Sequence, residues 1–256
     1  MYRTKIWFMV AILTGIALPA YALDFKVYPY TTPSEGEVEL AYWWTYVVQS
    51  DNSHDYFGQV LDQQGLQMHS LEIEYGMTDN WTVAAYADFE KPKEGDFKYV
   101  RARAVAARYR FFEQGERFID TAIEVEYYLP YKKYSDAEKI ETRVILEKDI
   151  GQISIMLNPI FEKDVSGAEV DAGMELEYAA GVYYRATPVF TPGLEFFGAM
   201  GELSDLKPRD QQEQYIFPRL GVKLGHRLIF DLGYGFGLTK ASDDRVVKAI
   251  VELEFP

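Results

Sequence analysis

Between Leu71 and Ala106 the sequence repeats with period two, and this constrains the fold more than any other feature. Leu71-Glu72-Ile73-Glu74-Tyr75 alternates apolar with acidic residues. Thr78-Asp79-Asn80 supplies a turn, and the alternation resumes through residues 81–89, which carry Tyr86, Asp88 and Phe89. After a polar loop, residues 100–106 alternate a third time around Arg101 and Arg103. Successive side chains of a strand point to opposite faces, so each segment has one apolar face and one charged face. In a soluble sheet the charged face meets bulk water. In a membrane barrel it lines the lumen, and the apolar face meets lipid.

The pattern extends along the chain. Strand-like segments occupy residues 37–48, 71–75, 81–89, 100–106, 118–129, 140–147, 153–162, 172–185, 194–200, 214–224, 228–238 and 245–255, with no helical periodicity between them. Connections alternate long and short from the first loop onward, which is the habit of outer-membrane barrels with short periplasmic turns and longer outer loops. Tilted strands of roughly nine to eleven residues span the hydrocarbon layer. The expected fold is therefore all-β: a transmembrane, antiparallel up-and-down β-barrel of about twelve strands. Trp44, Tyr75, Trp81, Phe89, Tyr127, Phe161, Tyr184 and Phe236 fall near strand ends on the apolar face, where aromatic girdles form. A periplasmic sandwich or lipocalin-like barrel would instead bury these aromatics and leave paired glutamates outside. Pro159 and Pro218 fall inside segments of a closed sheet that has no edge to hide them, so bulges or strand ends are expected there.

The N-terminus indicates export. Arg3 and Lys5 precede an apolar run over residues 6–18, and Ala20-Tyr21-Ala22 has the form of a cleavage site. Residues 1–22 thus read as a secretory signal peptide, leaving residues 23–256 as the barrel. Residues 23–34 read as an extended, proline-punctuated lead-in. The chain has no cysteine, hence no disulfide, thiolate ligand or lipid-anchor site. With 40 acidic against 26 basic residues, it lacks the basic face a nucleic-acid partner would need. The expected setting is the outer membrane of a Gram-negative bacterium. The expected partners are outer-membrane lipid, a small-molecule solute and, during biogenesis, the barrel-assembly machinery. Residues 247–255 alternate up to Phe255, which resembles the terminal signal that this machinery reads, with Pro256 as a departure.

Glu35-Gly36-Glu37-Val38-Glu39-Leu40, the run Ala107-Arg108-Tyr109-Arg110-Phe111, Glu124-Val125-Glu126-Tyr127-Tyr128-Leu129-Pro130 and the closing hairpin 230–255 occur in that order. Together they resemble the outer-membrane barrels associated with meta-pathway phenol degradation and their relatives. The resemblance runs over nearly the whole chain on short motifs. It implies an outer-membrane location and passage of small molecules, aromatic ones for some members, and it transfers no catalytic residue.

The charged faces supply the candidate lumen residues. Arg101 and Arg103 are expected between Asp88 on one side and Asp120, Glu124 and Glu126 on the other, with Arg143 beside the same glutamates and Glu72, Glu74, Glu175 and Glu177 further round. Such charges either set selectivity in a pore or fill a narrow lumen as an ion-pair network. Asp231, Gly233, Gly235 and Gly237 face inward beside a basic stripe of Arg219, Lys223 and Lys248. The bare glycines either leave space for a solute or mark a backbone feature that allows curvature or a bulky neighbour such as Trp43. His69 and Ser70 are adjacent and so point to opposite faces, and His54 and His226 lie in a loop and a turn, so no catalytic dyad is read. Neither a metal nor a cofactor is expected. The reading is a passive channel for small solutes; a plugged structural barrel is the alternative, and an outer-membrane hydrolase a further one.

Overall fold

Alternation becomes structure in a closed sheet. The computed structural model describes residues 24–225 and 227–256, so the signal-peptide reading and His226 lie outside the described residues. The barrel strands are β1 Val38–Gln49, β2 Gln67–Thr78, β3 Trp81–Lys91, β4 Lys98–Arg110, β5 Asp120–Pro130, β6 Lys139–Ile150, β7 Ile153–Asp164, β8 Glu175–Tyr184, β9 Phe190–Glu202, β10 Glu213–Leu224, β11 Leu228–Gly237 and β12 Arg245–Phe255. Each pairs antiparallel with its sequence neighbours, and β1 pairs with β12 from Val38↔Phe255 to Gln49↔Arg245, closing the sheet. Closure leaves no unpaired strand edge, the condition for crossing hydrocarbon with strands.

One rim carries tight connections such as Gly151-Gln152 between β6 and β7. The other carries long loops, and the first of these holds a small ribbon, Ser53–Tyr56 paired with Gln59–Asp62. No helix of the described residues is long and apolar enough to cross a membrane.

The two faces sort as the alternation requires. Leu40, Leu71, Ile73, Val125, Leu157, Val182, Leu232 and Phe236 are exposed on the outer wall, whereas Glu72, Glu74, Arg103, Glu124, Glu126, Arg143, Glu195 and Lys248 are buried inside it. A charged interior under an apolar exterior is a membrane barrel turned inside out relative to a soluble one.

Three features depart from the sequence-based expectations. Pro159 and Pro218 sit within β7 and β10 without bulges or strand ends. Pairing of β6 with β7 stops at Arg143↔Ile160 and resumes at Leu146↔Leu157 in the same register, while Pro159 still faces Tyr178 across β8. Pairing of β10 with β11 likewise skips from Ile216↔Phe236 to Arg219↔Gly233. A proline lacks only its own N–H, so one neighbour loses a local stretch of ladder and the other keeps it.

The second departure is in β4. The pairing shifts between Ala84 and Tyr86 of β3 and between Ala104 and Ala107 of β4, so an extra residue is accommodated there. The bulge reverses the alternation: Arg103 points inward before it and Arg108 after it, both buried.

The third concerns the inward glycines of β11. A Cβ at Gly235 would lie 2.2 Å from the Phe217 ring, and at Gly233 3.3 Å from the same ring. Phe217, not Trp43, is the bulky neighbour they admit.

Candidate solute path through the lumen

The lead-in segment does not lie on the surface. It runs through the barrel as a strap. Phe25, Lys26, Val27, Tyr28 and Tyr30 are buried, Tyr28 and Tyr30 completely. An extended segment in a lumen has no ladder to satisfy its backbone groups, so side chains must do so. The Asn158 amide, fully buried on β7, accepts from the Tyr28 N–H at 2.8 Å and donates to the Tyr28 carbonyl at 3.2 Å. The Tyr30 N–H donates to Glu147 Oε2 at 2.8 Å, and Lys248 Nζ donates to the Phe25 carbonyl at 2.8 Å. Tyr30 Oη donates to the Phe112 carbonyl at the short-turn end.

The strap's side chains complete the wall's charge layers. Asp24 pairs with Arg103, which also meets Asp88 at 3.3 Å and Glu126 at 3.4 Å. Arg101 Nε donates to Asp88 Oδ2 at 2.7 Å, and Ser70 donates to Asp88 Oδ1 at 2.6 Å. Lys26 Nζ lies 3.3 Å from Glu72 and 3.1 Å from Glu252, and Trp43 Nε1 donates to the same Glu72 at 2.9 Å. The Tyr28 ring lies between two guanidinium groups, Arg143 at 3.9 Å and Arg108 at 4.9 Å from its centroid. Arg143 pairs with Glu141 at 2.6 Å. Arg108 pairs with Glu124 and, at 3.1 Å, with Glu74. On the far wall Lys248 pairs with Glu195 and lies 3.8 Å from Asp231, which takes Arg219 at 2.7 Å. Phe25 packs there against Phe197, Tyr215 and Phe217.

Most of the sequence-derived lumen residues therefore meet, but as separate clusters around the strap. Asp120 is not among them: it accepts from the Gly115 N–H at 2.6 Å in the connection from β4 to β5. Lys223 is at the same rim, partly exposed, 3.7 Å from Glu254. Glu175 and Glu177 line the opposite, long-loop end.

Sequence reasoning missed Arg108, Asn158, Glu195 and the strap. The switch from odd-numbered Arg101 and Arg103 to even-numbered Arg108 and Arg110 marks the bulge. The aromatic content of 24–30, unsuited to a solvated tail, marks the strap.

Space remains at both ends. A cavity of about 340 Å³ opens at the long-loop end, lined by Lys139, Glu162, Glu177 and Glu213 among others. A second, of about 230 Å³, lies at the short-turn end between Lys26, Pro33, Glu39, Arg108 and Glu252. Beside the strap at Asp24, Arg101 and Arg143 the space narrows to about 20 Å³, room for roughly one water.

Two enzyme-like features separate. His69 is on the outer wall, its Nδ1 2.6 Å from Tyr42 Oη, while Ser70 faces the lumen and Asp88. Among the described residues no three Asp, Glu or His side chains converge as metal ligands.

These features define a twelve-stranded outer-membrane-type β-barrel whose N-terminal segment occupies its own lumen. Its fold is shared with the COG4313 outer membrane channel from Pseudomonas putida F1, with a TM-score of 0.58 at 12% identity, covering 90% of this chain and all of that one. More distant matches are the translocator domain of the autotransporter NalP from Neisseria meningitidis, at TM-score 0.43, 10% identity and coverages of 88% and 89%, and the outer membrane channel DcaP of Acinetobacter baumannii, at 0.39, 10%, 86% and 96%. No protein-family model and no curated protein matches the chain.

Proposed function

We propose that the protein is an outer-membrane channel for small solutes, held closed by residues 24–33 in the conformation described here. The observation that carries this reading is the pair of cavities, one at each end of the barrel, separated by a segment fastened through side chains. A barrel that served only as scaffold would gain nothing from open space at both ends. Nor would it need an occluding segment that belongs to no ladder. Release of the strap would join the two cavities along a wall of alternating Arg and Glu, suited to small polar or amphipathic molecules. The aromatic rings of Trp43, Tyr86 and Tyr128 around Arg103 add flat apolar surface on that route, which supports small organic solutes, aromatic ones included.

The lipid partner is met by the exposed aliphatic and aromatic wall, and the assembly machinery by the strand ending at Phe255. The second reading, a permanently plugged barrel, draws on the number of ion pairs that hold Asp24 and Lys26. Single-channel recording in planar bilayers separates them. Deleting residues 24–32 should convert a protein of small, infrequent conductance into a steadily open pore. A folded deletion variant that conducts no better than the full chain would overturn the channel reading.

A further inference from the structure

The long-loop cavity has a composition that the ion-pair layers below it do not. Eight of its thirteen lining residues are Asp or Glu and two are Lys. Lys139 is already engaged, with Glu162 and, at 3.9 Å, with Asp164. An excess of carboxylates at a rim is common and proves little. Glu177 is different. It stands on β8 below the rim, is only 8% exposed, and lines both the large cavity and the narrow space that leads to Asp24, Arg101 and Arg143. Among the described residues its carboxylate takes no hydrogen bond and no ion pair. Glu162, Glu175 and Glu213 line the same cavity and Glu141 lines the neck, so most of the charged side chains that share these spaces with Glu177 are of its own sign. The neighbouring buried glutamates have cations to satisfy them: Glu141 holds Arg143 and Tyr128, and Glu162 holds Lys139. Of the cations that share these spaces, Arg143 is held by Glu141, Arg101 by Asp88 and Lys139 by Glu162, so the buried Glu177 carboxylate has no counter-charge in contact, which buried ions require.

We propose that this cavity is a capture site for small organic ammonium ions, with Glu177 as the carboxylate that receives the ammonium head at the neck. The proposal deepens the channel reading, since it names the class of solute that collects at the outer mouth before the strap. Ammonium suits the site better than a chelated metal for two reasons. The carboxylates are spread round a cavity of about 340 Å³ and no three of them converge as metal ligands among the described residues. An alkylammonium group instead offers three donors that separate carboxylates can share. A second ammonium on the same short chain would reach the rim carboxylates, so a diammonium ion gains twice. Focusing of field lines in an acidic cleft would raise the local concentration of either.

The test is isothermal titration of the full chain in detergent micelles, at fixed ionic strength, with 1,4-diaminobutane, with its neutral isostere 1,4-butanediol and with magnesium chloride. Diaminobutane should bind saturably and butanediol should not. Glu177→Gln, which keeps the shape and removes the charge, should weaken diaminobutane by about tenfold or more, the loss of one charge-assisted contact. Glu254→Gln at the opposite rim should leave it unchanged. Heat-dependent gel mobility verifies that each variant is a folded barrel, and Glu175→Gln gives a second probe of the site should Glu177→Gln misfold. Absence of saturable binding, equal loss in the Glu177 and Glu254 variants, or tighter binding of magnesium than of diaminobutane would each overturn the proposal. Calorimetry needs no conduction, so a barrel that binds diaminobutane but never conducts would refute the channel and leave the site standing.

Discussion

Asn158 is where the strap can be loosened with the least damage to the wall. Its amide copies one rung of a β-ladder, accepting the Tyr28 N–H and donating to the Tyr28 carbonyl, at 2.8 and 3.2 Å. Asn158→Ala removes both partners and leaves two backbone groups inside a fully buried site. An orphaned buried polar group costs about 1–3 kcal/mol, and water entering the vacated volume brings each towards the lower end. The strap should therefore lose about 2–4 kcal/mol of docking free energy, raising the ratio of released to docked strap by about 30- to 1,000-fold. The barrel should barely notice, because Asn158 lies where the β6–β7 ladder is already interrupted by Pro159. Two assays read the change. Open probability in planar bilayers should rise steeply, and a reporter cysteine at Val27, in a chain with no other cysteine, should become reactive to a polar maleimide. Leu157→Ala, on the outer wall one residue away, is the control. If Asn158→Ala changes neither conductance nor labelling, or if Leu157→Ala changes both equally, the strap is not held by this amide and the argument fails.

Three further outcomes follow from other parts of the lumen. Arg108→Met should destabilise the folded barrel by about 3–5 kcal/mol, because Glu74 and Glu124 would be left buried without their cation; urea unfolding in lipid vesicles measures it, and a change below about 1 kcal/mol contradicts it. Gly235→Leu should block assembly of the heat-resistant barrel, since even its Cβ would meet the Phe217 ring at 2.2 Å, and Phe217→Ala in the same chain should restore it. In the outer-loop ribbon, burial lowers the His54 imidazole pKa, with Asp55 opposing. As pH falls below the unfolded value of about 6.5, the opened ribbon binds a proton that the closed one resists, so stability present at higher pH is lost. Amide exchange of residues 53–62, corrected for intrinsic rates, should accelerate between pH 7.5 and 5 in the native chain and stay level in His54→Phe.

The barrel was legible because each of its determinants is local. A run such as Leu71 to Tyr75 states which residues share a face, and the alternation of short and long connections states the order of pairing. The strap was illegible for the opposite reason. Asp24 to Thr32 has no period, and its partners are remote: Lys26 meets Glu72 across 46 residues, Tyr28 meets Asn158 across 130, and Phe25 meets Lys248 across 223. Only a segment already inside the lumen finds Asn158 useful, and on β7 that residue reads as one more polar position beside a proline. The bulge in β4 failed to show for a subtler reason. Residues 104–107 are Ala-Val-Ala-Ala, too uniform to show where the face changes, and only the parity of the arginines on either side of them hints that Arg108 turns inward.

Arg108 bears on how the lumen is built. Without the bulge, Arg108 would project from the outer wall, and Glu74 and Glu124 would be left buried without their cation. With it, one strand delivers Arg103 to the layer of Asp24, Asp88 and Glu126, and Arg108 to the layer of Glu74 and Glu124. Two cation layers from a single strand set the spacing into which the strap fits, with Arg108 and Arg143 flanking the Tyr28 ring. The extra residue between Ala104 and Ala107 thus puts Arg108 in the lumen, where it and Arg143 hold the Tyr28 ring of the strap between fixed guanidinium groups.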